Sequence, residues 1–167
     1  INIKNIILLK DGCGYDLSYT KTGLERGDYL FLQRFLDVTK SNLFFAKGII
    51  MVEGDAENIL VPVIAEILGY PLEKYGVSIV NVGSTAFLRY SRIMMRSDGT
   101  TVPIPVSIIT DCDVKPYEKD NEEMVFPDKS EEYAEAIKKK MERYDIGTIK
   151  SYVSPKWTLE YCLALSC

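Results

Sequence analysis

Two short acidic clusters hold most of the chemistry this sequence can offer. Glu53-Gly54-Asp55-Ala56-Glu57 follows the apolar run Gly48-Ile49-Ile50-Met51-Val52, and Asp111-Cys112-Asp113 follows Val106-Ser107-Ile108-Ile109-Thr110. Each cluster stands where a buried strand should end. Carboxylates gathered there repel one another: two charges roughly 5 Å apart, at an effective dielectric near 20, cost about 3 kcal/mol. A divalent cation between them removes that cost. Oxygen donors without His or Cys suit Mg²⁺ or Mn²⁺, and a carboxylate-held ion points to phosphate chemistry. Glu57 follows Glu53 by one helical turn, so both can face one crevice. Asp111 and Asp113 are two apart on an extended segment, so their side chains point the same way. The expectation is a cup formed by Glu53, Glu57, Asp111 and Asp113 beyond the carboxyl ends of one sheet, where open α/β sheets bind ligands.

Each piece also has a plainer reading. Glu57 could be a helix N-terminal acid that complements the macrodipole, Asp55 a cap, and Asp111-Cys112-Asp113 an Asx-type turn. Their shared register at strand ends favours the metal site. Lys156 and Glu160 form a further candidate pair, four apart and expected on one helix face. A surface ion pair is the plain alternative and is worth little. Lys156 is expected in the first turn of its helix, where a cation is electrostatically misplaced. It makes more sense there facing a phosphate or the acidic cup, with Glu160 as an additional metal ligand. Arg89, Arg92 and Arg96 fall on or near one helical face and could touch DNA phosphates, the alternative being a solvated face. Ser84 and Thr85 read as caps at a strand-to-helix turn.

The elements that must position these groups follow from periodicity. A strand over 3–9 leads into a Gly-rich, polar stretch and then a helix over 28–42, with apolar Leu30, Phe31, Phe35, Leu36 and Val38. From residue 46 strands and helices alternate. Gly48–Val52 reads as a strand buried on both faces. A helix over 55–68 carries Ile59, Leu60, Val63, Ile64, Ile67 and Leu68 on one face, and Gly69 and Pro71 end it. A strand over 77–82, a helix over 87–95 and a strand over 104–110 complete a β-α-β-α-β order, which predicts a parallel sheet. Residues 115–129 read as a mobile loop, 131–144 as a charged helix and 146–153 as an edge strand. Ser154 and Pro155 read as the cap and first residue of a last helix.

Composition narrows the function classes. The chain has 167 residues, 47% hydrophobic and 26% charged, a composition that supports a buried core. It contains no histidine, which excludes within it a Ser-His-Asp triad, a Cys-His pair and an HExxH zinc site. No P-loop motif is present. Cys13, Cys112, Cys162 and Cys167 lack CxxC spacing, which fits reduced thiols in a cytoplasmic protein. No apolar run has the length of a membrane span. The net charge is −4, whereas a nucleic-acid binder normally shows a basic face. Either the acidic cluster masks basic contacts elsewhere, or most of a DNA-binding surface lies outside these residues. A first residue other than Met and an unfinished final helix lead us to expect a piece of a longer protein.

The segment Phe44-Phe45-Ala46-Lys47-Gly48-Ile49-Ile50-Met51-Val52-Glu53-Gly54-Asp55-Ala56-Glu57 resembles the first Toprim motif of nucleases of the OLD (overcoming lysogenization defect) family. Val80-Asn81-Val82-Gly83-Ser84, Thr110-Asp111-Cys112-Asp113 and Ser154-Pro155-Lys156-Trp157-Thr158-Leu159-Glu160 fit the same pattern, so the resemblance runs over 30–167. A Glu and a DxD alone would fit any Toprim protein. Glu57, with Phe45-Ala46-Lys47 and Thr158-Leu159-Glu160, favours the OLD-like branch. The resemblance implies an α/β Toprim (Rossmann-like) fold, with a mainly parallel sheet flanked by helices. It implies a Toprim nuclease domain over 46–167, preceded over 1–45 by the tail and connector of an ABC-type ATPase domain. It further implies two ions, Mg²⁺ or Mn²⁺, on Glu53, Glu57, Asp111, Asp113 and Glu160, with Glu53 as ligand or general base and Lys156 as catalytic lysine. The reaction would be DNA cleavage or nicking, in phage defence or DNA repair, by a homo-oligomer that uses ATP through its ATPase domain. A topoisomerase- or primase-type Toprim enzyme and a non-catalytic, RecR-like DNA-binding module are the alternatives.

Overall fold

The computed structural model describes residues 2–36, 40–83, 86–120 and 123–167. The expected caps Ser84 and Thr85, and Val38 of the first helix, lie outside the described residues. Ile7–Lys10 (β1) and Cys13–Asp16 (β2) form an antiparallel hairpin. Its turn is Asp11-Gly12, with φ of 50° and 78°. Asp-Gly suits a two-residue turn with both central φ positive, so the stretch read as Gly-rich and polar is a hairpin. Arg26–Phe35 (α1) follows. The long helix expected over 28–42 is thus shorter, and Lys40–Phe44 forms a separate 3-10 turn.

Then come Gly48–Val52 (β3), Asp55–Ile67 (α2), Leu72–Tyr75 (α3), Val77–Asn81 (β4), Phe87–Ser91 (α4) and Val106–Thr110 (β5). Glu118–Asp120 (β6), Glu123–Val125 (β7), Ser130–Tyr144 (α5), Ile149–Val153 (β8) and Leu159–Ser166 (α6) complete the chain. β3, β4, β5 and β8 make a four-stranded parallel sheet in the order β4-β3-β5-β8, with β8 at an edge as expected. From β3 the chain steps to β4 on one side and then returns to β5 on the other. The order therefore reverses between β3 and β5, and a crevice opens there at the strands' carboxyl ends. The segment expected as a mobile loop contains the antiparallel pair β6–β7. Tyr117 holds it by ring contacts to Phe126 and Trp157, and Lys129 pairs with Glu118 at 2.8 Å.

The core lies on one face of the sheet. Ile49, Met51, Val106, Ile108 and Ile149 are buried there, with Phe87 and Tyr90 of α4 and Tyr144 of α5. Ile50, Ser107 and Ile109 on the opposite face are half-buried, and Tyr152 is exposed. The expectation for β3 of burial on both faces holds: Gly48 and Val52 on that face are buried, Val52 at 0% exposed, and Ile50 is half-buried. Toward the β8 edge the same face is open, and α2 leaves its apolar side uncovered, with Ile59 65% and Ile67 79% exposed.

Residues ahead of β3 share the same core. Ile3, Leu8, Leu17, Leu24, Tyr29 and Leu32 join the cluster around α4. Polar bonds fasten them. Arg92 donates to Asp28 at 2.9 Å, Arg89 lies 4.4 Å over the Phe31 ring, and Arg96 donates to the Asp16 carbonyl at 2.6 Å. These arginines, expected as a solvated face or as DNA contacts, hold the N-terminal segment instead. Asp28 also accepts the Glu25 N–H at 3.0 Å, capping α1, and its side chain is 6% exposed. Asp28→Ala is expected to destabilise the protein by about 2 kcal/mol, read by urea unfolding. Breaking a buried pair costs about 3–5 kcal/mol, less here because the arginines keep partial contact with water.

Candidate active site

Register brings the two acidic clusters together. β3 pairs with β5, Met51 opposite Ile108, so the residues beyond both strands are neighbours. The Thr110 hydroxyl donates to Glu53 Oε1. Asp111 Oδ1 accepts the Leu159 N–H at 2.8 Å and the Ser154 hydroxyl at 3.3 Å. Burial pushes the Asp111 carboxyl above the ordinary carboxylate range; the Leu159 N–H opposes this, and the charges of Glu53 and then Glu160 add to it. Three carboxylates from three separate segments thus share one field at the end of the sheet.

The other two predicted ligands are turned elsewhere. Glu57 is buried, 5% exposed, and its Oε2 accepts the Gly54 N–H at 3.1 Å. This is the N-terminal role offered above as its plainer reading. Asp55 Oδ1 accepts the Asn81 side-chain amide at 2.7 Å. Asp113 has φ 67°, gives its N–H to the Trp157 carbonyl at 2.9 Å, and directs Oδ2 to Lys140 Nζ at 2.6 Å. The four-carboxylate cup is therefore not converged: among the described residues, no three Asp, Glu, Cys or His side chains are arranged to hold an ion.

The last helix starts later than expected. Its cap is Thr158, whose side chain accepts the Tyr161 N–H at 3.2 Å, and Ser154 is instead buried, with its N–H on the Thr110 carbonyl at 2.9 Å. Lys156 therefore precedes α6 and is exposed. The argument from a misplaced cation in a first helical turn falls, as does the shared helix face with Glu160. The connection that carries Lys156 is still pinned to the site, through the bonds to Asp113 and Asp111 on either side of it.

Sequence reasoning passed over Lys140. Its Nζ donates to Asp113 Oδ2 at 2.6 Å, the Asp111 carbonyl at 2.6 Å and Thr110 Oγ1 at 3.3 Å. A signal existed: Lys140 lies on the inward side of α5 with Tyr133, Ile137 and Tyr144, where helical period calls for an apolar residue.

A parallel α/β sheet with Glu after one central strand and Asp-x-Asp after its neighbour, both at the switch point, is the arrangement of a Toprim-type domain. Residues 44–113 match the family model described as overcoming lysogenization defect protein-like, TOPRIM domain, and the chain carries the Toprim domain of an OLD-family protein. The matched span holds Glu53, Glu57, Asp111 and Asp113; Lys140, Lys156 and Glu160 lie beyond it. Among solved structures, the C-terminal region of the Xanthomonas campestris pv. campestris OLD protein is 30% identical, with TM-score 0.42, over 68% of this chain and 52% of that one. The C-terminal region of the Burkholderia pseudomallei OLD protein is 30% identical, with TM-score 0.44, over 69% of this chain and 56% of that one. The chain spans about half the length of these solved relatives. No curated protein matches significantly. No described helix is long and apolar enough to cross a membrane.

Proposed function

We propose that this Toprim domain is the nuclease part of an ATPase–Toprim protein, a divalent-metal-dependent endonuclease that hydrolyses DNA phosphodiesters. The observation that supports this reading is the gathering of carboxylates at the sheet's end, where Thr110 bonds Glu53 and the charges of Glu53 and Glu160 add to the burial that raises the Asp111 carboxyl. A cation relieves that repulsion, and an all-oxygen donor set fits Mg²⁺ or Mn²⁺. Glu53, Asp111 and Glu160 would hold the metal by closing onto it, since no three acidic side chains among the described residues are so arranged without it. Asp113 and Glu57, also predicted as ligands, would join a two-ion site only by leaving their present partners. Bound metal supplies Lewis-acid polarisation of the phosphate and a lowered pKa for the attacking water.

The chain's own groups do the rest. Thr110 orients the Glu53 carboxylate, which either binds the metal or takes a proton from the attacking water as general base. Lys156, carried on the pinned connection ahead of α6, offsets charge that grows on the phosphate. Residues 1–45 are proposed as the tail and connector of the ATPase domain, through which ATP would act, in a homo-oligomer working on DNA in the cytoplasm.

The test is nicking of supercoiled plasmid by the intact protein in Mg²⁺ or Mn²⁺ and in EDTA, beside Glu53→Ala and Asp111→Ala. Metal-dependent nicked circles are expected from the wild type and are lost in both variants. Unchanged nicking in the variants would sink the site assignment. A covalent DNA–protein adduct would favour topoisomerase chemistry, and metal-independent binding without nicking a non-catalytic module.

A further inference from the structure

We propose that Phe126, Tyr117 and Trp157 form a stacking surface for unpaired nucleobases beside the acidic cluster; the inference rests on the reading of DNA as the substrate. The rings run in series. Phe126, just after β7, meets Tyr117 with centroids 6.3 Å apart, and Tyr117 meets Trp157 edge-on at 5.8 Å. Trp157 in turn meets Tyr161 of α6 at 5.7 Å. Rings that only fastened the β6–β7 pair to the domain would be covered by it. Phe126 is instead 67% exposed, and Tyr117 and Trp157 are half-buried, so apolar ring surface stays open to water.

Position and charge both point to a base as the occupant. The Trp157 carbonyl accepts the Asp113 N–H at 2.9 Å, which fixes this end of the series against the acidic cluster. Lys156, proposed above to face the phosphate, immediately precedes Trp157 and is exposed. A DNA strand whose phosphate meets Lys156 brings its adjoining base to Trp157. Cations at the surface are few. Lys115 Nζ lies 5.9 Å over the Tyr117 ring, Lys129 is committed to Glu118 at 2.8 Å, and the chain carries a net charge of −4. Tight hold of a duplex backbone needs many phosphate contacts. Stacking needs few, because its strength lies in the ring faces, and it tolerates any sequence because every base has such a face. Paired bases already stack on one another, so the surface selects unpaired ones.

A structural clasp would make the same ring contacts, so the deciding readout is dependence on the base. The intact protein is titrated in EDTA with a fluorescent duplex carrying a short unpaired stretch, with the same stretch made abasic, and with the fully paired duplex. The wild type and Phe126→Tyr are expected to bind the unpaired stretch about 10-fold more tightly than its abasic form. Phe126→Ala and Phe126→Leu, with their fold checked by circular dichroism, lose that preference and keep the affinity for paired duplex. Equal affinity of the wild type for unpaired and abasic DNA overturns the inference, as does either variant that keeps the preference. A Phe126→Ala protein that falls to a smaller oligomer with its DNA preference intact makes this surface an interface between copies and also overturns it. Should Phe126→Ala fail to fold, the wild type and Phe126→Leu decide in the same way. Plasmid nicking in Mg²⁺ is scored separately. A wild type that nicks without base preference loses only this inference, one with the preference that does not nick loses only the nuclease reading, and one that binds no DNA loses both.

Discussion

Asp111→Asn is expected to nick supercoiled plasmid about 100-fold more slowly than the wild type, or worse, while melting at a higher temperature in EDTA at neutral pH. The loss follows from the donor set. Weakening even the partners behind a ligand commonly costs 10–100-fold, and a ligand itself about the upper figure or beyond. The gain follows from linkage. The folded-state pKa of Asp111 is raised, first by burial and further by Glu53 and Glu160. Between the unfolded and folded pKa values, the folded chain binds the proton that the unfolded chain releases. Stability from this group therefore falls as pH rises through that window, and its full cost is present above the folded pKa. Asn cannot ionise, yet its carbonyl can still accept the Leu159 N–H. The variant's advantage should shrink as the pH is lowered and Asp111 takes up its proton. Thermal melts of both proteins across pH in EDTA check this. Equal melting temperatures at neutral pH would refute the electrostatic account, and undiminished nicking would refute the catalytic one.

Phe87→Ala is expected to cost about 3–5 kcal/mol, the range for removing a fully buried phenylalanine and leaving a cavity. Phe87 is 0% exposed, and its ring meets Tyr144 edge-on, with centroids 5.7 Å apart and planes at 73°. Tyr144 closes α5 one turn beyond Lys140, so this contact helps to set where the ammonium stands. Against a typical stability of about 5–15 kcal/mol, the loss is large enough to move the urea midpoint sharply with little change in slope. A shift equivalent to less than about 1 kcal/mol would mean that the site collapses around the vacancy.

Much of the framework was legible because backbone period is local. The continuous apolar run Gly48–Val52 and the run Val106–Thr110 became neighbouring parallel strands. Gly69, at φ 84°, stops α2 by giving its N–H to the Glu66 carbonyl at 2.9 Å. The acids stand where they do because strand ends are encoded in the same few residues that carry them. The Asp11-Gly12 hairpin was equally local and open to the same reasoning.

The orientation of the site's side chains was not local. Asp113 was expected beside Asp111 on an extended segment, but its left-handed backbone and a lysine from α5 turned it away. Ser154 was expected to cap a helix, but its hydroxyl and N–H found better partners on β5 and Asp111, so the helix began at Leu159. Arg89, Arg92 and Arg96 share a charge pattern that would suit solvent, yet Asp28, Phe31 and the Asp16 carbonyl reached them from the far end of the chain. By itself, the sequence determined the strands of the parallel sheet, the helices α2 and α5 and the place where negative charge would gather, since these depend on residue type and on periods of a few residues. The tertiary structure alone decided which carboxylates remain to share a cation and that Lys140 stands among them. A hydrogen bond or ion pair forms with whichever partner the packing presents, and here those partners lie tens of residues apart.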